Sequence, residues 1–244
     1  MAQSGIHAFS GIILSKLFKQ KKWFAPSLIL GSILPDVDIL FSAIAFLFGA
    51  SIVEAEEIHR TFTHSIFTVL IIYLVFLSIK EIKSDKKFKI IGKGICIGMT
   101  AHIILDVCLW FHDISLLWPL QPYLIDPINI WGNISLSHSL VFKKILLAFE
   151  FIMFRLYGWF LINQFINIKN IGNTAIWFIK YVTKWIKIEF ILFITFLLLI
   201  YINININIYM ILFTLMYIPS LMMALISTYV LRNVFNNNDN FESK

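Results

Sequence analysis

Seven histidines and aspartates in this chain stand at spacings that can do chemistry, and together they point to a metal ion. His102 and Asp106, in Ala101-His102-Ile103-Ile104-Leu105-Asp106, stand four apart. On a helix that spacing puts both side chains on one face, where they can grip one cation or bond to each other. His59 and His64 lie in His59-Arg60-Thr61-Phe62-Thr63-His64-Ser65, five apart and too wide for one helical face. His59 is therefore placed before the helix that His64 begins. Asp36 and Asp38 follow Pro35, and His7 lies near the start. Each motif also has an ordinary reading. An aspartate after a helix-stopping proline commonly caps the next helix, Arg60 can pair with Glu56 or Glu57, and His7 can be a solvated histidine. Together the motifs say more, because four of the six histidines fall in short motifs within the first 106 residues. Imidazole and carboxylate suit zinc, manganese or iron.

These groups are embedded in an oily chain. Of 244 residues, 59% are hydrophobic and 14% charged, with mean hydropathy +0.83. Soluble domains carry about 25% charged residues, so the composition is that of an integral membrane protein. The fold class expected is all-α, a multi-span helical bundle with a metal site at one membrane face. Polar groups in such surroundings are costly without a partner. The net charge of +6 comes from lysines in inter-helix loops without interleaved aromatics, which marks topology rather than a nucleic-acid partner. Cys96 and Cys108 make no disulfide framework. The N-terminus lacks the basic start and long apolar run of a secretory signal, leaving insertion to the internal spans.

Apolar runs and breakers set out the elements. An amphipathic helix is expected over 3–18, an apolar helix over 25–34 ended by Pro35, and another apolar run over 38–50. Short spans follow over 65–79 and about 90–111, joined by the basic loop 80–93. A long Trp- and Pro-rich connection, 112–139, is read as an ordered loop at the membrane interface. Next come a helix over 140–167, a basic aromatic helix from Trp177 to Lys187 lying on headgroups, and hydrophobic helices over 188–202 and 208–231. Three units result: a site-bearing domain (1–139), C-terminal membrane helices (140–235) and a disordered tail (236–244).

The lysine-rich loop belongs in the cytoplasm. His64 and His102 each lie roughly 20 Å of helix away from it, which puts the site on the extracytoplasmic side. If 38–50 crossed the bilayer, Asp36 and Asp38 would sit at the wrong end, and 54–63 could not return through lipid as unpaired backbone. Either 38–50 is re-entrant or interfacial, or the two carboxylates lie outside the site. The first alternative is favoured.

With Leu34-Pro35-Asp36-Val37-Asp38, His59-Arg60-Thr61-Phe62-Thr63-His64-Ser65, Ala101 to Asp106 and Leu116-Leu117-Trp118-Pro119 in this order, residues 1–125 resemble the YdjM-like family of inner-membrane, LexA-regulated metal-dependent hydrolases. That family is thought to be distantly similar to the zinc-dependent phospholipase C and single-strand nuclease superfamily. The resemblance implies a metal held by His7, Asp36 or Asp38, His59 or His64, and His102 with Asp106. Asp38 then acts as general base or orients a ligand histidine, and Arg60 meets a phosphate oxygen. The superfamily's later His-x-x-x-Glu fails here, since His138 is followed at 142 by Phe, so one or two ions are expected rather than three. The implied activity is hydrolysis of a small-molecule or lipid-borne phosphoester by a metal-activated water. The lipid bilayer of the inner membrane is the expected partner. The competing reading is a non-catalytic metal-binding or transport-type membrane protein. No His-Glu-x-x-His supports an intramembrane zinc protease.

Overall fold

A computed structural model describes residues 4–18, 23–51, 54, 58, 61–110, 114–120, 140–166 and 173–232. Among these the protein is an all-α membrane helical bundle with no strand. In chain order, α1 is Ser4–Lys16 and α2 is Phe24–Ile33, followed by a 3-10 turn at Leu34–Asp38 and α3 at Ile39–Leu47. A second 3-10 turn, Phe62–His64, leads into α4 (Ile66–Lys83), and α5 is Lys87–Trp110. The last three helices are α6 (Leu140–Ile166), α7 (Asn173–Tyr201) and α8 (Ile206–Val230).

Four stretches are long and apolar enough to cross a bilayer: Phe24–Phe46, Lys87–Cys108, Leu140–Ile166 and Ile206–Val230. A crossing helix needs about 20 apolar residues. The first is α2 continued through the 3-10 turn into α3, so Pro35 tightens the helix without ending its path. The expected span over 65–79 is α4, whose last turn carries Lys80, Glu81 and Lys83 and which lies outside the four. None of its residues is buried, and Leu70, Ile71 and Leu74 face outward as a lipid-facing side chain would.

The helix over 3–18 is the amphipathic α1, which buries His7, Ala8, Gly11 and Ile12, leaves Ile13 and Lys16 exposed, and packs against α2 and α6. One expected element differs in form. The headgroup helix Trp177–Lys187 and the helix 188–202 are one element, α7, because no breaker separates them. The polar residue at the junction, Glu189, turns inward and accepts bonds from Trp185 Nε1 and Ser220 Oγ. The turn into α8 does follow its sequence. Asn203 takes a left-handed φ of 53°, which asparagine tolerates, and Asn205 Oδ1 caps α8 by accepting from Asn207 N at 2.8 Å. The tail 236–244 and most of 112–139 lie outside the described residues.

The helices sharing the core come from both ends of the chain. Ala8, Ile12, Ile29 and Ile33 join Phe151, Phe154, Tyr217 and Leu221 in one apolar cluster. Basic residues gather toward one end of the bundle. Lys16 lies over the Phe160 ring, Arg232 over Trp23 at the head of α2, and the α4–α5 connection carries Lys83, Lys86 and Lys87.

Glycine decides how closely α2 and α5 approach. They run in parallel, with Gly94 beside Phe24 and Leu28, and Gly98 beside Leu28 and Ser32. A Cβ at Gly98 would stand 2.1 Å from the Leu28 carbonyl oxygen and 2.6 Å from Ser32 N. Small residues let helix backbones meet in membranes. Here the contact delivers the Ser32 carbonyl to His102.

The 3-10 turn at Phe62–His64 is pinned from both sides. Ser65 caps α4 by accepting from Phe67 N at 3.2 Å, and its hydroxyl donates to Trp118 O at 2.7 Å. Ile66 N donates to Leu116 O at 3.0 Å. Ser65→Ala loses both side-chain bonds. Thermal unfolding in detergent should show a loss of about 1–2 kcal/mol; an unchanged midpoint would refute this assignment.

Candidate metal centre

Four elements deliver six polar side chains to one buried cluster in the bundle. His7 comes from α1, Asp36 and Asp38 from the 3-10 turn after α2, His64 from the turn before α4, and His102 and Asp106 from α5. All six are at most 1% exposed. Burying this many ionisable groups in apolar surroundings is unfavourable unless each finds partners.

The imidazoles are oriented from behind. His102 Nδ1 lies 2.8 Å from the Ser32 carbonyl oxygen, an acceptor only, so Nδ1 carries the proton and Nε2 presents its lone pair. His64 Nδ1 lies 2.9 Å from Thr63 Oγ1 and 3.5 Å from Asp38 Oδ2, and Thr63 Oγ1 itself donates to Asp38. That arrangement puts a proton on His64 Nδ1 and likewise turns Nε2 inward. The two Nε2 atoms face each other at 3.1 Å. His64 Nε2 is 3.3 Å from Asp106 Oδ2, and His102 Nε2 is 3.6 Å from Asp36 Oδ1 and 3.8 Å from Asp106 Oδ2. His7 stacks on His102 with ring centroids 3.6 Å apart and places Nε2 3.0 Å from Asp106 Oδ1.

This donor set fits a divalent cation. Bonds of about 2.0–2.2 Å at tetrahedral angles put neighbouring ligand atoms roughly 3.3–3.6 Å apart, close to the separations found. Two overlapping groups, His7–His102–Asp106 and Asp36–His64–His102, each bring three ligand atoms within 4.8 Å of one another. An imidazole whose other nitrogen donates to a carbonyl or carboxylate is the usual arrangement behind metal-ligating histidine. His7 Nδ1 is buried with no hydrogen-bond partner among the described residues.

The carboxylates around His64 favour a proton on its imidazole, with which a cation would compete. Burial alone would push the His64 imidazole down, but hydrogen bonds and charge from Asp106 and Asp38 outweigh it and hold the group up to about 9. These ion pairs stabilise the fold fully below the ordinary histidine value of about 6.5. That stabilisation is lost as pH rises through about 9. A cation binding at Nε2 must displace this proton. Metal affinity should therefore rise about tenfold per pH unit toward pH 9 and level off above it. Zinc titrations of detergent-solubilised protein between pH 6.5 and 9.5 check this, and a flat profile would count against it.

Of the residues singled out in the sequence, the structure brings together His7, Asp36, Asp38, His64, His102 and Asp106. The carboxylates after Pro35 lie beside the histidines, within the candidate span Phe24–Phe46 rather than at the head of a separate re-entrant helix. His59 and Arg60 lie outside the described residues. Sequence reasoning missed Ser32, Thr63 and Ser4. Ser32 acts through its backbone and carries no side-chain signal. Thr63 was visible within the His-Arg-Thr-Phe-Thr-His motif. Ser4 meets Tyr217, and Gly5 N donates to Glu150. Those partners stand roughly 15 Å along α8 and α6 from the helix ends at Ile206 and Leu140.

The fold and the cluster define a polytopic helical membrane protein with buried histidine and aspartate groups that could hold a metal ion. The chain belongs to the family described as YdjM inner membrane protein, whose model matches residues 1–231. The match runs past the motifs in the first 125 residues through α8. No curated protein and no solved structure matches the chain.

Proposed function

We propose that this protein is a membrane-bound metal-dependent hydrolase of phosphoesters. The observation that carries the reading is the approach of His64 Nε2 to His102 Nε2 at 3.1 Å and to Asp106 Oδ2 at 3.3 Å, with His102 Nε2 3.6 Å from Asp36 Oδ1 and 3.8 Å from Asp106 Oδ2, a cluster of donors that a cation would hold together. His64, His102, Asp36 and Asp106 would hold the ion, with His7 beside Asp106 as a further ligand or the start of a second site. Zinc suits this set best, with manganese or iron as substitutes. A bound divalent ion supplies Lewis acidity and a water of lowered pKa. Asp38 orients His64, since its carboxylate lies behind Nδ1 rather than among the inward-facing atoms. Arg60, four residues before His64, is assigned to an anionic phosphate oxygen, and His59 to a supporting ligand role. The lysine-rich end is cytoplasmic by the positive-inside rule, which leaves the cluster on the extracytoplasmic side of the bilayer. A lipid-borne substrate fits a centre walled by membrane helices.

Metal analysis of protein purified without added chelator tests the reading. One or two divalent ions per chain are expected, together with chelator-sensitive cleavage of a phosphodiester such as bis-p-nitrophenyl phosphate. A protein free of metal after reconstitution with zinc would end it. Complete burial of all six groups favours a second reading, a metal-handling membrane protein without catalysis. Stoichiometric metal with no hydrolysis of phosphomonoester, phosphodiester or phospholipid substrates would select that alternative.

A further inference from the structure

Asp36 does not face the cluster unaided. Its Oδ2 accepts a hydrogen bond of 2.7 Å from Ser4 Oγ, the first residue of α1. Ser4 Oγ is hydrogen-bonded in turn to Tyr217 OH on α8, and Ser4 N donates to the same phenol oxygen at 3.4 Å. The proton directions follow from the acceptor at the end. Ser4 has one hydroxyl proton and gives it to Asp36, so Tyr217 must donate to Ser4 Oγ while its own oxygen receives the Ser4 N–H. Ser4, Asp36 and Tyr217 are each 0% exposed, so these bonds are shielded from bulk solvent. The chain of donors fixes Oδ2 and leaves Oδ1 aimed at His102 Nε2. One residue on, Gly5 N donates to Glu150 of α6. The α1 start that carries His7 one turn later is therefore held by two C-terminal helices.

We propose that α8 is part of the metal centre, with Tyr217 a positioning residue that fixes Asp36 through Ser4. This rests on the reading of Asp36 as a metal ligand. It assigns the C-terminal helices a share in tuning the site, beyond anchoring it. Outer partners of this kind typically change metal affinity by about 10- to 100-fold.

The test measures Zn2+ affinity by chelator competition on detergent-solubilised full-length protein, for Tyr217→Phe, Ser4→Ala and the double variant. Tyr157→Phe serves as control, since it removes another buried phenol that is hydrogen-bonded to Thr228 away from the cluster. Tyr217→Phe and Ser4→Ala should each weaken zinc binding by about 10- to 100-fold. The double variant should bind no more weakly than Ser4→Ala, because Tyr217 acts through Ser4. Tyr157→Phe should lower the unfolding temperature while keeping wild-type affinity. If Tyr217→Phe does not fold, Ser4→Ala decides alone, since alanine is well suited to a helix. Wild-type affinity in Tyr217→Phe or in Ser4→Ala overturns the inference and leaves the metal reading standing. A wild type that binds no zinc removes both.

Discussion

Asp106→Asn is expected to reduce metal affinity by more than the roughly 100-fold that marks the upper range for outer partners. Asp106 is the group that three imidazoles share. His7 Nε2 lies 3.0 Å from one carboxylate oxygen, and His64 Nε2 and His102 Nε2 lie 3.3 and 3.8 Å from the other. Asparagine keeps the shape but removes the charge, and it presents N–H donors toward nitrogens that must offer lone pairs. Removing one partner of a buried charge pair costs about 3–5 kcal/mol. The isosteric amide recovers part of that through hydrogen bonds, so the protein should fold with a lowered unfolding temperature. The proton held on His64 should also leave at lower pH, because the carboxylate chiefly responsible for retaining it is gone. Metal content measured beside the pH dependence of thermal unfolding checks both parts. Asp106→Asn protein carrying wild-type zinc would show that this carboxylate is no ligand.

The second large effect is expected from a residue with no side chain. In a helix interior, Gly→Ala ordinarily gains about 1 kcal/mol from propensity. At Gly98 the new methyl would meet the Leu28 carbonyl at 2.1 Å and Ser32 N at 2.6 Å, both backbone atoms that cannot rotate away. The two helices must separate, and overpacking of this kind costs about 1–3 kcal/mol or more. The clash outweighs the propensity gain. Separation also withdraws the Ser32 carbonyl from His102 Nδ1, now 2.8 Å away, and frees that ring to turn. Gly98→Ala should thus lose stability and at least about tenfold in metal affinity together. Gly158→Ala is the comparison. The atoms nearest its methyl would be side-chain atoms of Ile186 and Trp185, away from the cluster, so zinc binding should survive there. Equal zinc affinity in Gly98→Ala and wild type would show that helix spacing does not set the histidine.

Much of this was legible in the sequence, and the limits have physical causes. Apolar runs bounded by Pro, Asn and lysine clusters gave the helices to within a few residues, because burial in lipid leaves few other arrangements. His102 and Asp106 were legible as one face because helical geometry is local. The Trp177–Lys187 stretch was misread as a separate surface helix, since periodicity shows amphipathic character but not where a helix ends when no breaker intervenes. The Ser32 carbonyl could not be seen, because every residue has one and only the Gly98 contact selects it. Ser4 and Tyr217 were invisible for another reason. They are 213 residues apart, and a single sequence carries no trace of which distant pair meets.

That separation also orders events in time. The ligand-bearing residues end at Asp106, whereas the phenol that fixes Asp36 sits 111 positions later. At roughly 5–20 residues per second of synthesis, the ribosome needs about 6–22 s to make the intervening chain. During that interval the histidines and aspartates exist in the bilayer without the contact that sets Asp36. If Tyr217 sets Asp36 as proposed, tight metal capture would be a late event in biogenesis, reached after α8 has been inserted. A nascent chain lacking that helix should remain in a weakly binding form that exchanges metal readily.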